Sequence, residues 1–214
     1  MIHMLLRKES IMEYQKRPIG TYIFITINVI VFFALSFGGM TEDTLYMLNH
    51  GAMYLPSVAV EGEYYRFITS FFLHFGFSHL MNNMVTLGVV GYYLEPLVGT
   101  VKFSVIYLLS GLGGNVASFV YEWFTGEYAV SAGASGATFG LTGALFCLTL
   151  LNHGRVGGIT KQGMLFMIVL SLYNGFVSVG VDNLAHIGGL ITGFLITFLL
   201  CFQSNRERGS DVWS

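Results

Sequence analysis

The sequence predicts an all-α membrane protein, a bundle of six transmembrane helices with a long, partly embedded loop between the first two. Three observations predict it. Of 214 residues, 54% are hydrophobic and only 10% are charged, against the ~25% charge of an ordinary soluble domain. The mean hydropathy is +0.65. The charges are also clustered: no Asp, Glu, Lys or Arg occurs in residues 18–41, 67–94, 103–121, 128–154, 162–181 or 183–205. Each gap accommodates the roughly 20 apolar residues that cross a ~30 Å hydrocarbon layer at ~1.5 Å per residue. Backbone in hydrocarbon must satisfy its own hydrogen bonds, and the gaps lack the ~10-residue alternating strands of a barrel, so six helices follow. The same figures exclude other classes. An aromatic content of 15% with so little charge opposes disorder. A net charge of -2 without a basic patch offers nothing to nucleic-acid phosphates. Cys147 and Cys201 sit inside apolar runs, which excludes a disulfide framework.

In chain order, the helices are expected near 19–38, 70–94, 102–122, 134–152, 163–180 and 184–203. The first follows a mixed-charge stretch (Arg7, Lys8, Glu9, Glu13, Lys16, Arg17) and precedes no Ala-x-Ala site, so it reads as a retained span and not a cleaved signal. Residues 39–66 keep an apolar and aromatic character (Leu45, Tyr46, Met47, Leu48, Met53, Tyr54, Leu55, Tyr64, Tyr65) that a solvated linker would not have. They are expected to lie partly in the outer leaflet, with a short amphipathic helix around 43–50. With both termini in the cytoplasm, the inner segments hold Arg7, Lys8, Lys16, Arg17, Lys102, Arg155, Lys161, Arg206 and Arg208, and the outer ones hold only Arg66. That asymmetry sets the orientation in the cell membrane. The organisation read from this is a cytoplasmic N-terminal segment at 1–18, a six-helix domain at 19–203 and a cytoplasmic tail at 204–214.

Polar groups inside spans are costly and mark sites. Span two carries His74, His79, Asn82 and Asn83; span four opens with Gly133, Ala134, Ser135 and Gly136; span six opens with Asp182, Asn183 and His186. All three spans run from outside to inside, so His79, Asn83, Ser135 and His186 are expected at one depth, a turn or two below the outer surface. A serine, two histidines and an amide in one layer suit acyl transfer. A hydroxyl becomes nucleophilic when a base takes its proton, and histidine does this near neutral pH. The oxyanion needs donors, which Asn83, His79 one turn away and the unpaired Ser135 N–H at a helix start can supply. Asp182 is the nearest carboxylate, expected in solvent, so a Ser–His dyad is favoured over a triad. The four-residue steps Gly136–Gly140 and Gly189–Gly193 make smooth stripes that let two helix backbones approach. His74, Asn82, Asn28, Asn115 and Asn174 are read as structural, the last three as interhelical packing outside this layer.

At this point the chain resembles the rhomboid intramembrane serine proteases from the first span to about residue 203. The motifs are H-x-x-x-N from His79 to Asn83, G-x-S-G from Gly133 to Gly136, and A-H-x-x-G-x-x-x-G through Ala185, His186, Gly189 and Gly193. Phe139 fits the family's aromatic residue that packs on the catalytic imidazole. Glu95 matches an acidic position at the cytoplasmic end of span two, which implies a structural hydrogen-bonding role. Arg66 matches the arginine of a Trp-Arg pair, with Tyr65 in place of the tryptophan. The resemblance implies Ser135 as nucleophile, His186 as general base and then acid, and an oxyanion hole of Asn83, His79 and the Ser135 N–H. It implies no metal or organic cofactor, a bilayer setting, and as substrate a transmembrane helix of another protein cut near its outer end.

Two other function classes compete. A catalytically silent rhomboid-like factor for membrane-protein binding or quality control is the alternative, although such relatives typically lose the serine or the histidine. Transport ranks third, because it calls for charged or broken helices near the midplane.

Overall fold

The computed structural model describes residues 17–210, with side chains from 17 to 201. The mixed-charge stretch before Arg17 and the last four residues of the tail lie outside the described residues. Helix α1, Ile19–Gly38, begins after Pro18. Its first N–H groups have no intrahelical acceptor. Glu95 supplies one, accepting from Gly20 N–H (2.7 Å), Thr21 N–H (2.8 Å) and Thr21 Oγ1 (2.8 Å), and from Thr100 Oγ1 at 2.7 Å. A carboxylate at a helix N-terminus also complements the helix dipole.

Three short helices follow: α2 at Thr44–Asn49, α3 at Leu55–Ala59 and α4 at Arg66–Thr69. Asp43 caps α2 by accepting from Tyr46 N–H, and α3 has no counterpart in the sequence reading. A 3-10 turn at Ser70–Phe72 then leads to extended Leu73. Helix α5 spans Gly76–Val98, starting at a glycine with φ of +77°. The second span was expected to begin at residue 70, six residues earlier. Phe71, Leu73 and His74 are buried, so the apolar character of 70–75 reports burial and not helicity.

Gly99 alone separates α5 from α6, Thr100–Thr125. Helix α7 spans Ser135–Leu151, followed by strands β1 (Arg155–Val156) and β2 (Ile159–Thr160). The hairpin was not anticipated; it turns through Gly157 and Gly158, both at positive φ (+54° and +85°), the conformation that two-residue hairpin turns require. Helices α8, Lys161–Val177, and α9, Asn183–Ser210, complete the described residues. Among the described residues, three stretches can cross a membrane by length and composition, Ile19–Gly38, Thr100–Thr125 and Asn183–Cys201, and the apolar Ser135–Leu151 is shorter.

The centre of the bundle is α7. It buries most of its circumference, including Gly136, Ala137, Thr138, Gly140, Leu141, Ala144 and Leu145, and leaves half-buried one face that carries Ser135, Phe139, Thr142 and Phe146. Helices α6 and α9 pack on it most extensively, and α1 joins mainly through α5.

Candidate active site

Helix α7 starts inside the bundle because non-helical chain descends to it. Irregular backbone within an apolar environment persists only where protein satisfies its polar groups. All but one of that segment's ties come from far away in sequence. Ala129 N–H donates to Glu122 Oε1 (3.2 Å), near the end of α6. Ser131 exchanges both backbone hydrogen bonds with Met53, at 2.8 and 2.9 Å. Gly133 N–H donates to the Ser70 carbonyl (3.0 Å), and Ala134 N–H to His74 Nε2 (3.3 Å). The acceptors are themselves held. Asn115 donates to Ser70 Oγ and the Phe67 carbonyl at 2.7 and 2.9 Å. Arg66, 5% exposed, donates to the Leu48 and Ala52 carbonyls, both at 2.7 Å, next to Met53.

The segment delivers Ser135 to the first position of α7. Glycines determine what lies beside it. Gly133 has φ of +141°, and a Cβ there would stand 2.7 Å from the His79 ring and 3.8 Å from Ser135 Oγ. Only a bare Cα lets that imidazole come so close. A Cβ on Gly189 would overlap the Gly136 carbonyl oxygen, and one on Gly193 the Gly140 carbonyl oxygen. The α7 and α9 backbones are therefore in direct contact along both predicted stripes. Helix α6 closes the triangle: a Cβ at Gly114 would lie 2.6 Å from the Ala185 carbonyl.

That contact carries His186, in the first turn of α9, onto the first turn of α7. The Phe139 ring stacks on the imidazole with centroids 4.3 Å apart and planes 15° from parallel. His186 is 7% exposed, and its Nδ1 has no hydrogen-bond partner. Among the described residues no hydrogen bond joins Ser135 Oγ to His186; what the glycine seam brings together is the backbone beside each, Gly136 against Gly189 and Ala185. Such bonds are often long before substrate binds. His79 packs edge-on against His74, centroids 5.3 Å apart. Asn83 donates from Nδ2 to the His79 carbonyl at 3.0 Å, which leaves the second N–H of that amide for another acceptor.

Ser135, Gly133 and Gly136 line a cavity of about 20 Å³ together with Asn115, Asp182 and Ala185. A single water fits a space of that order. Asn115, expected outside the site layer, thus borders it. Asp182 differs from expectation too. It is half-buried, and both carboxylate oxygens are engaged: Oδ1 accepts from Ala185 N–H (2.9 Å) and Oδ2 from Ser118 Oγ (2.6 Å). Ser118 and Gly114 were not singled out in the sequence, where nothing local ties them to residues 182–185, and Glu122 stands there only as one of the acidic residues on the outer side. Among the described residues, no group of three or more His, Cys, Asp or Glu side chains could hold a metal ion.

Comparison with known proteins adds an independent line. A Rhomboid domain model matches residues 61–203. The chain is 36% identical over 189 residues to the rhomboid protease GluP of Bacillus subtilis, covering 88% of this chain and 36% of GluP. It is 41% identical over 145 residues to RHOMBOID-like protein 5 of Arabidopsis thaliana, covering 67% of this chain and 46% of that protein. YdcA of Bacillus subtilis is 30% identical over 209 residues, covering 96% of this chain and all of YdcA. The chain thus spans about a third to a half of GluP and RHOMBOID-like protein 5, and YdcA in full.

Proposed function

The chain belongs to the rhomboid family of integral membrane proteins, and from that premise we propose that it is an intramembrane serine endopeptidase. It hydrolyses peptide bonds within or near the outer end of transmembrane helices of other membrane proteins, through a Ser135–His186 dyad. The working unit is residues 19–203, with six spans and both termini in the cytoplasm, as the Lys and Arg distribution supports.

One observation carries the reading: the Phe139–His186 stack holds an imidazole from α9 against the helical turn that Ser135 begins. In the reaction, His186 takes the Ser135 hydroxyl proton as Oγ bonds to the scissile carbonyl carbon. The carbonyl electrons move to oxygen, which accepts hydrogen bonds from the Ser135 N–H, the His79 ring and the free N–H of the Asn83 amide. When the C–N bond breaks, His186 returns the proton to the leaving amine. Water then attacks the Ser135 ester as His186 takes its proton; His186 passes that proton to Ser135 Oγ, which leaves as the hydroxyl and frees the carboxyl product. No carboxylate meets His186 Nδ1, which supports a dyad. Helix carbonyls are covered and hydrogen-bonded, so the substrate is expected to carry helix-weakening Gly, Pro or small residues at the cut.

A fluorophosphonate probe in detergent tests the reading. Labelling is expected for the wild type and absent in Ser135→Ala and His186→Ala, with the same pattern for cleavage of a co-expressed membrane substrate. Labelling that survives Ser135→Ala places the nucleophile elsewhere. A folded wild type that takes no label beside a positive control belongs with the silent binding factors.

A further inference from the structure

The end of α6 nearest Ser135 presents two side chains one turn apart, Ser118 and Glu122, both nearly inaccessible at 5% and 8% exposure. Each reaches a different functional segment. Glu122 holds Ala129 in the chain that descends to the serine, and Ser118 holds Asp182 at the head of the histidine helix. Asp182 is where the second connection becomes informative. Its Oδ1 caps α9 through Ala185 N–H, and its carbonyl accepts the His186 N–H at 3.3 Å. Its Oδ2 leaves the helix altogether and takes the Ser118 hydroxyl at 2.6 Å. A cap that served helix stability alone would need only the first of these bonds.

We propose that Asp182 is a positioning residue for His186: fastened to Ser118, it sets the rotation and height of the first turn of α9 relative to α6, and so where the imidazole meets Ser135. The proposal rests on the Ser135–His186 reading and adds to it the device that registers the two. It differs from a triad, because both carboxylate oxygens are occupied and neither touches His186 Nδ1, which has no partner. The fold gives a reason for such a device. Glycine contacts set how near α7 and α9 approach, but a smooth glycine face resists sliding and rotation weakly. A directional hydrogen bond to a third helix supplies what the glycines lack.

Three variants separate the possibilities, read by the rate of fluorophosphonate labelling and by amide hydrogen exchange of residues 183–189 in detergent. Asp182→Ala removes cap and tie, and labelling is expected to slow by roughly 10- to 100-fold, the scale of a small misplacement of a reacting group. Asp182→Asn keeps an acceptor for Ala185 and a donor for Ser118, and is expected to restore most of the rate. Ser118→Ala leaves the cap intact and cuts only the tie; labelling is expected to slow roughly tenfold, about the worth of one hydrogen bond to a charged group. Exchange at 183–189 should quicken in both alanine variants. Ser118→Ala labelling at the wild-type rate would reduce Asp182 to an ordinary cap. Asp182→Asn as slow as Asp182→Ala would mean that the charge acts in the chemistry, and an unaffected Asp182→Ala would remove any role. If the wild type takes no label, the protease reading fails by itself. Exchange then decides the clamp: faster in both alanine variants upholds it, unchanged in Ser118→Ala overturns it.

Discussion

Two seams of the bundle are built on opposite principles. Where α7 meets α9, main chain rests on main chain: the carbonyls of Gly136 and Gly140 occupy the places where Gly189 and Gly193 would carry side chains. Where α1 meets α5 and α6, side chains mediate. Phe24 stacks on Tyr107 at 4.1 Å, Asn28 donates to Tyr107 Oη at 3.3 Å, and Glu95 gathers the start of α1. Side chains have rotamers to change when a neighbour changes; a backbone carbonyl in a helix has none. The first seam therefore dictates a separation, and the residues proposed for chemistry stand on it. The second gives cohesion and tolerates adjustment.

Gly189→Ala breaks that contrast most sharply. The new methyl group meets the Gly136 carbonyl, the helices must part, and labelling of Ser135 is expected to fall at least ~100-fold. A wild-type rate in this variant would mean that the seam is not rigid. Glu95→Ala comes next and acts on stability. It strands two helix N–H groups and two hydroxyls, lowering stability by about 2–4 kcal/mol in denaturant titration, while the folded fraction still labels normally. Gly91→Ala is the direct counterpart of the first variant. Its methyl group meets the Thr21 side chain instead of a carbonyl, so a cost of about 1–2 kcal/mol in the same titration with labelling preserved is expected. Equal losses of labelling in Gly91→Ala and Gly189→Ala would erase the distinction between the seams.

The smallest effect lies outside both. Arg66 Nε donates to Glu63 at 2.7 Å and holds the Glu63 carboxyl below its ordinary range. A carboxyl depressed in the folded state contributes stability above its unfolded value of ~4.3 and loses it as pH falls through the folded value. Glu63→Gln should therefore lower the thermal midpoint slightly at neutral pH, and the difference should close on acidification below about 4. A difference that grows in acid would contradict this assignment.

Some of this was legible along the chain. The apolar gaps in charge announced the long helices, and the four-residue glycine steps at 136–140 and 189–193 announced a close approach. The glycines of α6 did not announce theirs. Gly111 faces Phe71, while Gly113 and Gly114 face Thr192 and Ala185 on α9; at spacings of one and two residues they make no four-residue stripe. The reach of Asp182 to Ser118, 64 residues away, had no local signal either, and the expectation of a solvated Asp182 was wrong for that reason. The apolar run at 70–75 looked like more of α5 because hydropathy records burial and leaves backbone conformation open.

By itself, the sequence determined roughly where the long apolar helices run and which polar residues lie among apolar ones, since helix hydrogen bonds close within four residues and hydropathy is a property of each side chain. Only the tertiary structure decided what sustains the non-helical chain before Ser135, what holds the head of α9, and which backbones touch. Apart from Glu122, seven residues from Ala129, those partners are Met53, Ser70, His74 and Ser118, and a hydrogen bond that closes across dozens of residues leaves no periodicity to read.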